Sequence, residues 1–166
     1  MKIAAIKFWA VLGTVLGVVL VIAAPASAEE PRYVFTQNQG HVCLSVPGST
    51  TENNAQLVYD PNCSYRANQR WRQHDVGGGW FELIAEHSGK CMDVRGASRD
   101  RVPIIQFQCY GTDNQLWRFN DVGNNRVRLQ VKLDNGFVAQ TGANGLPYRA
   151  IHDPTYWEDF QLASTG

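Results

Sequence analysis

The sequence lacks an excess of charge of either sign, with 15 Lys and Arg against 15 Asp and Glu. No segment collects basic residues in the way that a nucleic-acid-binding surface requires, so we predict no nucleic-acid partner. No stretch is long enough or biased enough in composition to be a linker or a low-complexity tail. Beyond residue 28 there is also no amphipathic pattern of three helical turns. These absences exclude a helical bundle and favour an all-β domain.

The sequence also lacks the patterns that accompany catalysis and metal binding. A glycosidase needs two carboxylates at a set separation; the acids show no paired motif, although pairing in space stays open here. There is no nucleophile elbow around a serine, and the histidines have no metal-ligand spacing. We therefore predict no enzyme, no metal and no cofactor. The residues considered are Glu52, Glu82, Glu86, Asp100, Asp134, Glu158, His41, His74, His87 and His152.

The N-terminal segment has the pattern of a secretory signal peptide. Lys2 and Lys7 supply positive charge, residues 8–24 are apolar, and residues 25–28 read Pro-Ala-Ser-Ala. Small residues at this place are typical of a cleavage site, so we predict cleavage after Ala28 and a secreted, extracellular product without a membrane segment. The alternative is an uncleaved anchor, since the 17 apolar residues lie at the short edge of what spans a bilayer.

The predicted mature chain, residues 29–166, is long enough for one domain that buries about two-thirds of its unfolded surface. Without Lys2 and Lys7 it has 13 basic and 15 acidic residues, a formal net charge of −2. An even number of cysteines in a secreted chain indicates disulfides. The four cysteines, all in this part, are Cys43, Cys63, Cys91 and Cys109.

The mature sequence repeats itself, which is best seen in two pairs of motifs. Cys43-Leu44-Ser45-Val46 corresponds to Cys91-Met92-Asp93-Val94, and Asn68-Gln69-Arg70-Trp71 corresponds to Asn114-Gln115-Leu116-Trp117. A third copy is eroded: residues 135–139 align with 89–93, and 160–162 with 117–119. The repeats predict three units of about 45 residues, at about 33–76, 77–122 and 123–166.

Within a unit, short strands alternate with turns. Residues 80–84 and 126–131 read as strands bounded by Gly and Asn. The period would also suit propeller blades, but propellers close with four or more. Three units around a pseudo-threefold axis fit the count better.

The cysteines and tryptophans have structural roles in this scheme. Four cysteines allow three pairings, and the pairing within each unit is the one that repeats; each such loop contributes about 3 kcal/mol. Trp71 and Trp117 are predicted core residues, while Gln69 and Gln115 are predicted to satisfy backbone groups. The third unit lacks cysteine, so its packing is expected to come from Phe137, Trp157 and Phe160.

These motifs resemble the ricin B-type lectin domain. The resemblance rests on Gln69-Arg70-Trp71, Gln115-Leu116-Trp117, Cys91-Met92-Asp93-Val94 and Ile105-Gln106-Phe107-Gln108-Cys109, and covers residues 35–163. It implies a β-trefoil of twelve strands, six forming a barrel and six capping it. It also implies carbohydrate binding at shallow pockets, up to one in each unit.

The resemblance implies a binding site in the second unit. Asp93 would accept hydrogen bonds from two sugar hydroxyls, Phe107 would stack on the pyranose, and Asn114 would complete the polar contacts. Gln115 would orient Asp93. Gln106, which precedes Phe107 in the same motif, is also expected to belong to the binding site. These residue types suit a sugar, because charge-assisted hydrogen bonds are strong and a rigid ring binds at low entropic cost.

The other two units depart from this pattern. The first has Ser45 in place of the aspartate, with Tyr59 as its candidate stacking ring and Asn68 and Gln69 in place, which predicts a weaker second site. In the third, Ala139 replaces the aspartate and no Asn-Gln pair remains, so no ordinary site is expected; His152 is a loop candidate.

The predicted function is therefore a secreted lectin, specific for galactose-type or related polysaccharide sugars. One good site implies weak binding, and avidity would require a polymeric glycan, self-association or a partner chain. The alternative is a protein-binding trefoil, such as a protease inhibitor or a toxin's binding subunit, because fold does not fix function. Its reactive loop would be residues 95–101 or 144–149.

Overall fold

The computed structural model describes residues 29–37, 40–99, 101–141, 146–150 and 159–165. The predicted signal peptide and four residues named above, Asp100, His152, Trp157 and Glu158, lie outside these ranges. So does part of the candidate loop 144–149. Within the described ranges, no helix is both long and apolar enough to cross a membrane.

The described chain is built from thirteen strands and two short 3-10 turns. Gly and Asn residues form turns between the strands. Asn124 and Asn125, for example, both have positive φ in one hairpin turn. The strands are β1 (Arg32–Gln37), β2 (Val42–Ser45), β3 (Ala55–Gln56), β4 (Val58–Asp60), β5 (Trp71–Gly77), β6 (Trp80–Ala85), β7 (Cys91–Val94), β8 (Ile104–Phe107), β9 (Leu116–Gly123), β10 (Arg126–Val131), β11 (Phe137–Thr141), β12 (Leu146–Ala150) and β13 (Phe160–Ser164). The 3-10 turns are Pro47–Ser49 and Arg95–Ala97.

Six strands close into an antiparallel barrel, in the order β1-β5-β6-β9-β10-β13 and back to β1. The same kind of pairing recurs once in each unit. It joins Tyr33 to Trp71, Phe81 to Trp117 and Val127 to Phe160. Closure leaves the barrel without a free edge.

The remaining strands form hairpins that cap the barrel. β2 pairs with β4, β7 with β8 and β11 with β12, one hairpin in each unit. In the first unit the outer strand is interrupted at Leu57, so that β3 pairs with β8 of the second unit while β4 pairs with β2. With β3 and β4 taken as one interrupted strand, the count is the predicted twelve. The all-β trefoil prediction is confirmed.

The core lies inside the barrel, where each unit supplies one large ring. Trp71, Trp117 and Phe160 are completely buried. The indole N–H groups of the two tryptophans donate to Leu44 O at 3.4 Å and Met92 O at 3.0 Å, so each buried polar tip has a partner. This confirms that both tryptophans belong to the core.

The two disulfides follow the pairing within units, Cys43–Cys63 and Cys91–Cys109, as predicted. In the third unit the position of Cys91 is taken by Phe137, which pairs with Gln130 as Cys91 pairs with Ile84. Phe137 is only partly buried, while the next residue, Val138, is fully buried in the core. Among its described residues, the third unit thus packs through Leu129, Val131, Val138 and Phe160, which are all completely buried.

Candidate functional site

The register of the β7–β8 hairpin decides which side chains share its outer face. Asp93 pairs with Ile105 and Cys91 with Phe107, while Met92 pairs with Gln106 between them. Because side chains alternate along a strand and paired residues share a face, Asp93, Ile105 and Phe107 point to one side. Met92 packs in the core on the other side. The aspartate and the ring therefore lie on the same outer face, as a shared pocket requires.

This face carries a hollow of about 490 Å³. Among the described residues of its lining, Asp93 is the only charged one. The lining residues are Asn54, Asp93, Gly96, Ala97, Ile105, Phe107, Tyr110, Thr112, Asn114 and Gln115.

Asp93 is held from behind by two amides. Its Oδ2 accepts from Nε2 of Gln115 at 2.7 Å and from Nδ2 of Asn114 at 3.0 Å. Oδ1, with two lone pairs, remains for a ligand. The side chain is buried, and this loss of hydration raises the pKa of Asp93 above its ordinary 3.8, against the opposing effect of the two amides.

Gln115 performs both of the tasks predicted for it. Besides orienting Asp93, its Nε2 donates to Gln108 O at 2.8 Å, and its Oε1 accepts from the N–H of Tyr110 at 2.7 Å. One fully buried side chain therefore ties the segment after β8 to the carboxylate. The aromatic and acidic sides of the hollow are fixed relative to each other.

Asn114 lies in the hollow, but its amide nitrogen is occupied. Nδ2 donates to Asp93 Oδ2 and to Val94 O, at 3.0 and 3.3 Å. Since an amide nitrogen has two hydrogens, both are used. Asn114 was expected to complete the polar contacts to a sugar. The structure leaves only its carboxamide oxygen for this, so Asn114 can accept a hydrogen bond from a ligand but not donate one.

Two rings line the hollow where one was expected. Phe107 is partly buried, whereas Tyr110 is 64% exposed. Their centroids lie 6.1 Å apart and their planes are inclined by 50°. Sequence reasoning missed Tyr110, although an aromatic residue directly after the second cysteine was a visible difference from Ser64 in the first unit. The two rings together offer a larger apolar surface to one face of a bound sugar than Phe107 alone.

Gln106 does not line the hollow. It pairs with Met92 and therefore points to the inner side of the hairpin, where it is fully buried. Its Nε2 donates to Thr50 O at 2.7 Å and Glu52 O at 2.8 Å, and its Oε1 accepts from Ser88. The prediction that Gln106 contacts the sugar is therefore wrong. Gln106 instead anchors a loop of the first unit.

The candidate second site is arranged differently from the prediction. Tyr59 pairs with Leu44, as Gln106 pairs with Met92, and it packs against the ring of Phe160 with centroids 6.3 Å apart. It therefore cannot be the stacking ring. Asp60, which pairs with Cys43, occupies the place that Phe107 has in the second unit.

The polar residues of the first unit serve this different arrangement. Asn68 donates to Ser45 Oγ at 2.9 Å and to Val46 O at 2.8 Å, in the manner of Asn114. Gln69 donates to Asp60 Oδ2 at 3.0 Å, and Arg66 forms an ion pair with the same oxygen at 3.3 Å. The first unit therefore has its acidic residue, Asp60, on the outer strand of the hairpin and not at position 45. The carboxylate of Asp60 is already paired.

Replacing Ser45 by Asp is expected to destabilise the protein and to create no second sugar site. Ser45 is completely buried, and Gln69 already gives its amide to Asp60. A carboxylate at position 45 would compete for that amide and bring two negative charges together with little water between them. Urea unfolding should show a loss of about 2 kcal/mol. Ser45→Asn, with the same shape and no charge, is the matched control; a second binding event by calorimetry in the Asp variant would contradict this account.

Two of the acids considered for catalysis, Glu86 and Asp134, have other partners in the structure. Glu86 binds Arg32 and Arg70 at 2.9 and 2.5 Å, and Asp134 accepts from the N–H of Gly136. Glu82 lies close to the sulfurs of Cys91 and Cys109. Those sulfurs form a disulfide, so they are not thiolate ligands for a metal.

The fold is shared with solved trefoil structures. The designed three-fold symmetric protein ThreeFoil is 27% identical, with a TM-score of 0.71 over 80% of this chain and 97% of that one. An exo-β-1,3-galactanase from Clostridium thermocellum is 22% identical, with a TM-score of 0.73 over 81% of this chain. A Polyporus squamosus lectin, solved with the epitope Neu5Aca2-6Galb1-4GlcNAc, is 16% identical, with a TM-score of 0.68 over 82% of this chain. The chain spans 30% of the galactanase and 50% of the Polyporus lectin.

At the level of sequence, a comparison with curated proteins gave no match. The family model described as ricin-type beta-trefoil lectin domain-like matches residues 20–107 and again residues 67–151. Together the two matches cover most of the chain and overlap in the second unit, which carries the hollow. The chain therefore belongs to the ricin-type β-trefoil lectin domain-like family.

Proposed function

We propose that this protein is a secreted, non-catalytic lectin that binds galactose-type or related polysaccharide sugars, chiefly through the hollow of the second unit. The observation that carries the proposal is the Asp93 carboxylate. It is buried and oriented by two amides, it keeps Oδ1 for a ligand, and it shares the hollow with Phe107 and Tyr110.

The chemistry of the hollow suits a pyranose. Oδ1 of Asp93 can accept from sugar hydroxyls, and such bonds to a charged acceptor are stronger than neutral ones. The rings of Phe107 and Tyr110 offer apolar area to the C–H face of the sugar. None of these contacts needs a proton transfer, so binding alone accounts for the residues present.

The preference for galactose-type sugars and the secretion are the finer parts of this proposal. The first is supported by the structural likeness to a protein described as a galactanase. The second is supported by the N-terminal pattern and by two disulfides, which persist in oxidising compartments. The direct test is a glycan and polysaccharide array with the secreted protein. An array on which galactose-containing glycans give no signal above other sugars would remove the proposed specificity.

A single hollow implies modest affinity for one sugar. We therefore expect the natural ligand to be a polymer with repeated sugars, or the protein to gain avidity by self-association or through a partner chain. The protein-binding alternative gains no support from the described part of loop 95–101. Arg95 donates to Asn54 O at 3.2 Å, and the guanidinium of Arg101 lies 4.0 Å from the centroid of the Tyr148 ring, so the loop is held against the body.

Sugar binding is expected to weaken in acid at a higher pH than an ordinary aspartate would dictate. The ligand needs the ionised form of Asp93, and burial raises the pKa of that group above 3.8. Affinity should therefore be full well above this pKa and fall as the pH drops through it. Calorimetric titrations at stepwise lower pH, with circular dichroism to confirm folding, measure the midpoint. Affinity that stays constant down to pH 3.8 would contradict the role of the carboxylate.

A further inference from the structure

One residue of the hollow comes from a different unit than the others. Asn54 precedes β3 in the first unit, whereas the other described residues of the lining lie between Asp93 and Gln115 in the second unit. The hollow is therefore walled on one side by a loop that the repeat pattern does not assign to it.

This loop is fixed to the strand that forms the floor of the hollow. Ala55 and Gln56 pair with Gln106 and Ile105 of β8, and the N–H of Asn54 donates to Gln106 O at 3.0 Å. On the inner side of the hairpin, Nε2 of Gln106 donates to the carbonyl oxygens of Thr50 and Glu52 in this loop. The wall is thus part of the folded scaffold before any ligand arrives, which lowers the entropic cost of binding.

A second pair of contacts fixes the tip of the loop. Asn53 Oδ1 accepts from the N–H of Gln108 at 3.1 Å, and Arg95 donates to Asn54 O. Asn54 itself has a left-handed φ of 66°, which asparagine tolerates better than most residues. Since its main-chain N–H and C=O are both bonded, its carboxamide is the group left to contact a ligand in the hollow that Asn54 lines.

The order of the strands sets the distance that the hollow spans. Asp93 is on β7 and Asn54 adjoins β3, with β8 between these two strands. Adjacent strands lie about 4.8 Å apart, so the two residues stand about 10 Å apart across the sheet. Asp93 lies opposite Ile105 and Asn54 lies beside Phe107, so the two residues are also offset by two positions, about 7 Å, along the strands. A pyranose with hydroxyl oxygens at opposite ends spans only about 5.5 Å, because its bonds are about 1.5 Å long. One sugar seated at Asp93 therefore leaves the Asn54 side to a neighbouring sugar.

The charge of the lining limits the class of ligand. Asp93 is the one charged residue among the described residues of the lining, which also include the uncharged Gly96, Ala97 and Ile105. An anionic sugar would face this carboxylate, and no described lining residue is basic enough to offset the repulsion. The guanidinium of Arg95 lies outside the lining, where it donates to Asn54 O. A neutral ligand meets the amide of Asn54, which can donate and accept.

We propose that the hollow binds a neutral oligosaccharide of at least two residues, with Asn54 of the first unit as the residue that recognises the second sugar. This inference rests on the proposed function, since the first sugar occupies the Asp93 side. It makes two units of the trefoil contribute to one site.

Calorimetry with galactose, β-1,3-galactobiose and digalacturonate tests the proposal on the full chain. The native protein should bind galactobiose at least tenfold more tightly than galactose and digalacturonate more weakly than galactobiose. In Asn54→Gly, which keeps the left-handed backbone accessible, the advantage of galactobiose should vanish while the affinity for galactose is unchanged. Asn124→Gly is the matched control, because Asn124 also has a positive φ, of 53°, and lies outside this hollow.

The outcomes separate the two proposals. Equal affinity of the native protein for galactose and galactobiose, or an advantage that survives in Asn54→Gly, would overturn the role of Asn54 and leave the lectin function standing. Tighter binding of digalacturonate would overturn the neutral ligand class. If none of the three sugars binds, the proposed galactose-type function fails first, and this inference fails with it.

Discussion

Replacing Asp93 by Asn should lower the affinity for sugar about 100-fold, which is about 2.7 kcal/mol. The substitution keeps the shape of the side chain, and an oxygen can still face Asn114 and Gln115. What changes is the outward atom, where an amide nitrogen replaces the acceptor Oδ1. Hydrogen bonds to a charged acceptor contribute about 1.5–3 kcal/mol each, so the loss of one or two accounts for the expected effect. Calorimetry or a glycan array measures it.

The same substitution should not destabilise the protein at neutral pH. Burial raises the pKa of Asp93 in the folded state, so between the unfolded and folded pKa values the folded protein binds more protons. Its stability therefore falls as pH rises through that interval, and the cost persists at neutral pH. A neutral side chain removes this cost. The free energy of unfolding of Asp93→Asn should equal or exceed that of the native protein, and its advantage should shrink in acid.

Two further variants show whether the effect belongs to this acid. Asp60→Asn changes the corresponding acid of the first unit, which Gln69 holds as Gln115 holds Asp93, and binding should be unaffected. Asp93→Ala should abolish binding and also lose stability, because two buried amides lose their acceptor. Unchanged affinity in Asp93→Asn would refute the site, and an equal loss in Asp60→Asn would move it to the first unit.

The sequence was sufficient for the features that repeat. The repeated cysteines predicted the disulfide pairing, and the resemblance carried by the Gln-x-Trp motifs implied the trefoil. The two tryptophans were predicted to be buried because the first and second units use them for the same contacts. Asp93, Phe107, Asn114 and Gln115 also come together in the structure, as the resemblance to the lectin domain implied.

What could not be predicted depends on register and on contacts between units. Asp93 and Ile105 are 12 positions apart, whereas the paired Ser45 and Val58 are 13 apart. This extra residue, together with Pro61 between Asp60 and Cys63, places Asp60 rather than Tyr59 on the outer face. A one-residue shift reverses the face of a strand, and residue spacing alone does not show where an insertion falls. Asn54 was missed because its loop reaches a site in the next repeat.

Removal of the Cys91–Cys109 disulfide should separate the stability of the second unit from its binding. The double variant Cys91→Ala/Cys109→Ala opens a loop of 18 residues and should cost about 3 kcal/mol of unfolding free energy in the chain-entropy model. Cys109 also lies between Phe107 and Tyr110, so its release should let both rings move away from Asp93. We expect affinity to fall about tenfold, or about 1.4 kcal/mol.

The first unit provides the control for this experiment, because its disulfide closes a loop of nearly equal size, with a separation of 20 residues. Cys43→Ala/Cys63→Ala should therefore lose about the same stability, about 3 kcal/mol, and keep its affinity for sugar. Urea unfolding and calorimetry on both variants give the two numbers to compare. If both variants lose affinity equally, the loss reflects general loosening of the trefoil. A loss confined to the second-unit variant means that the disulfide holds the rings of the binding hollow in place.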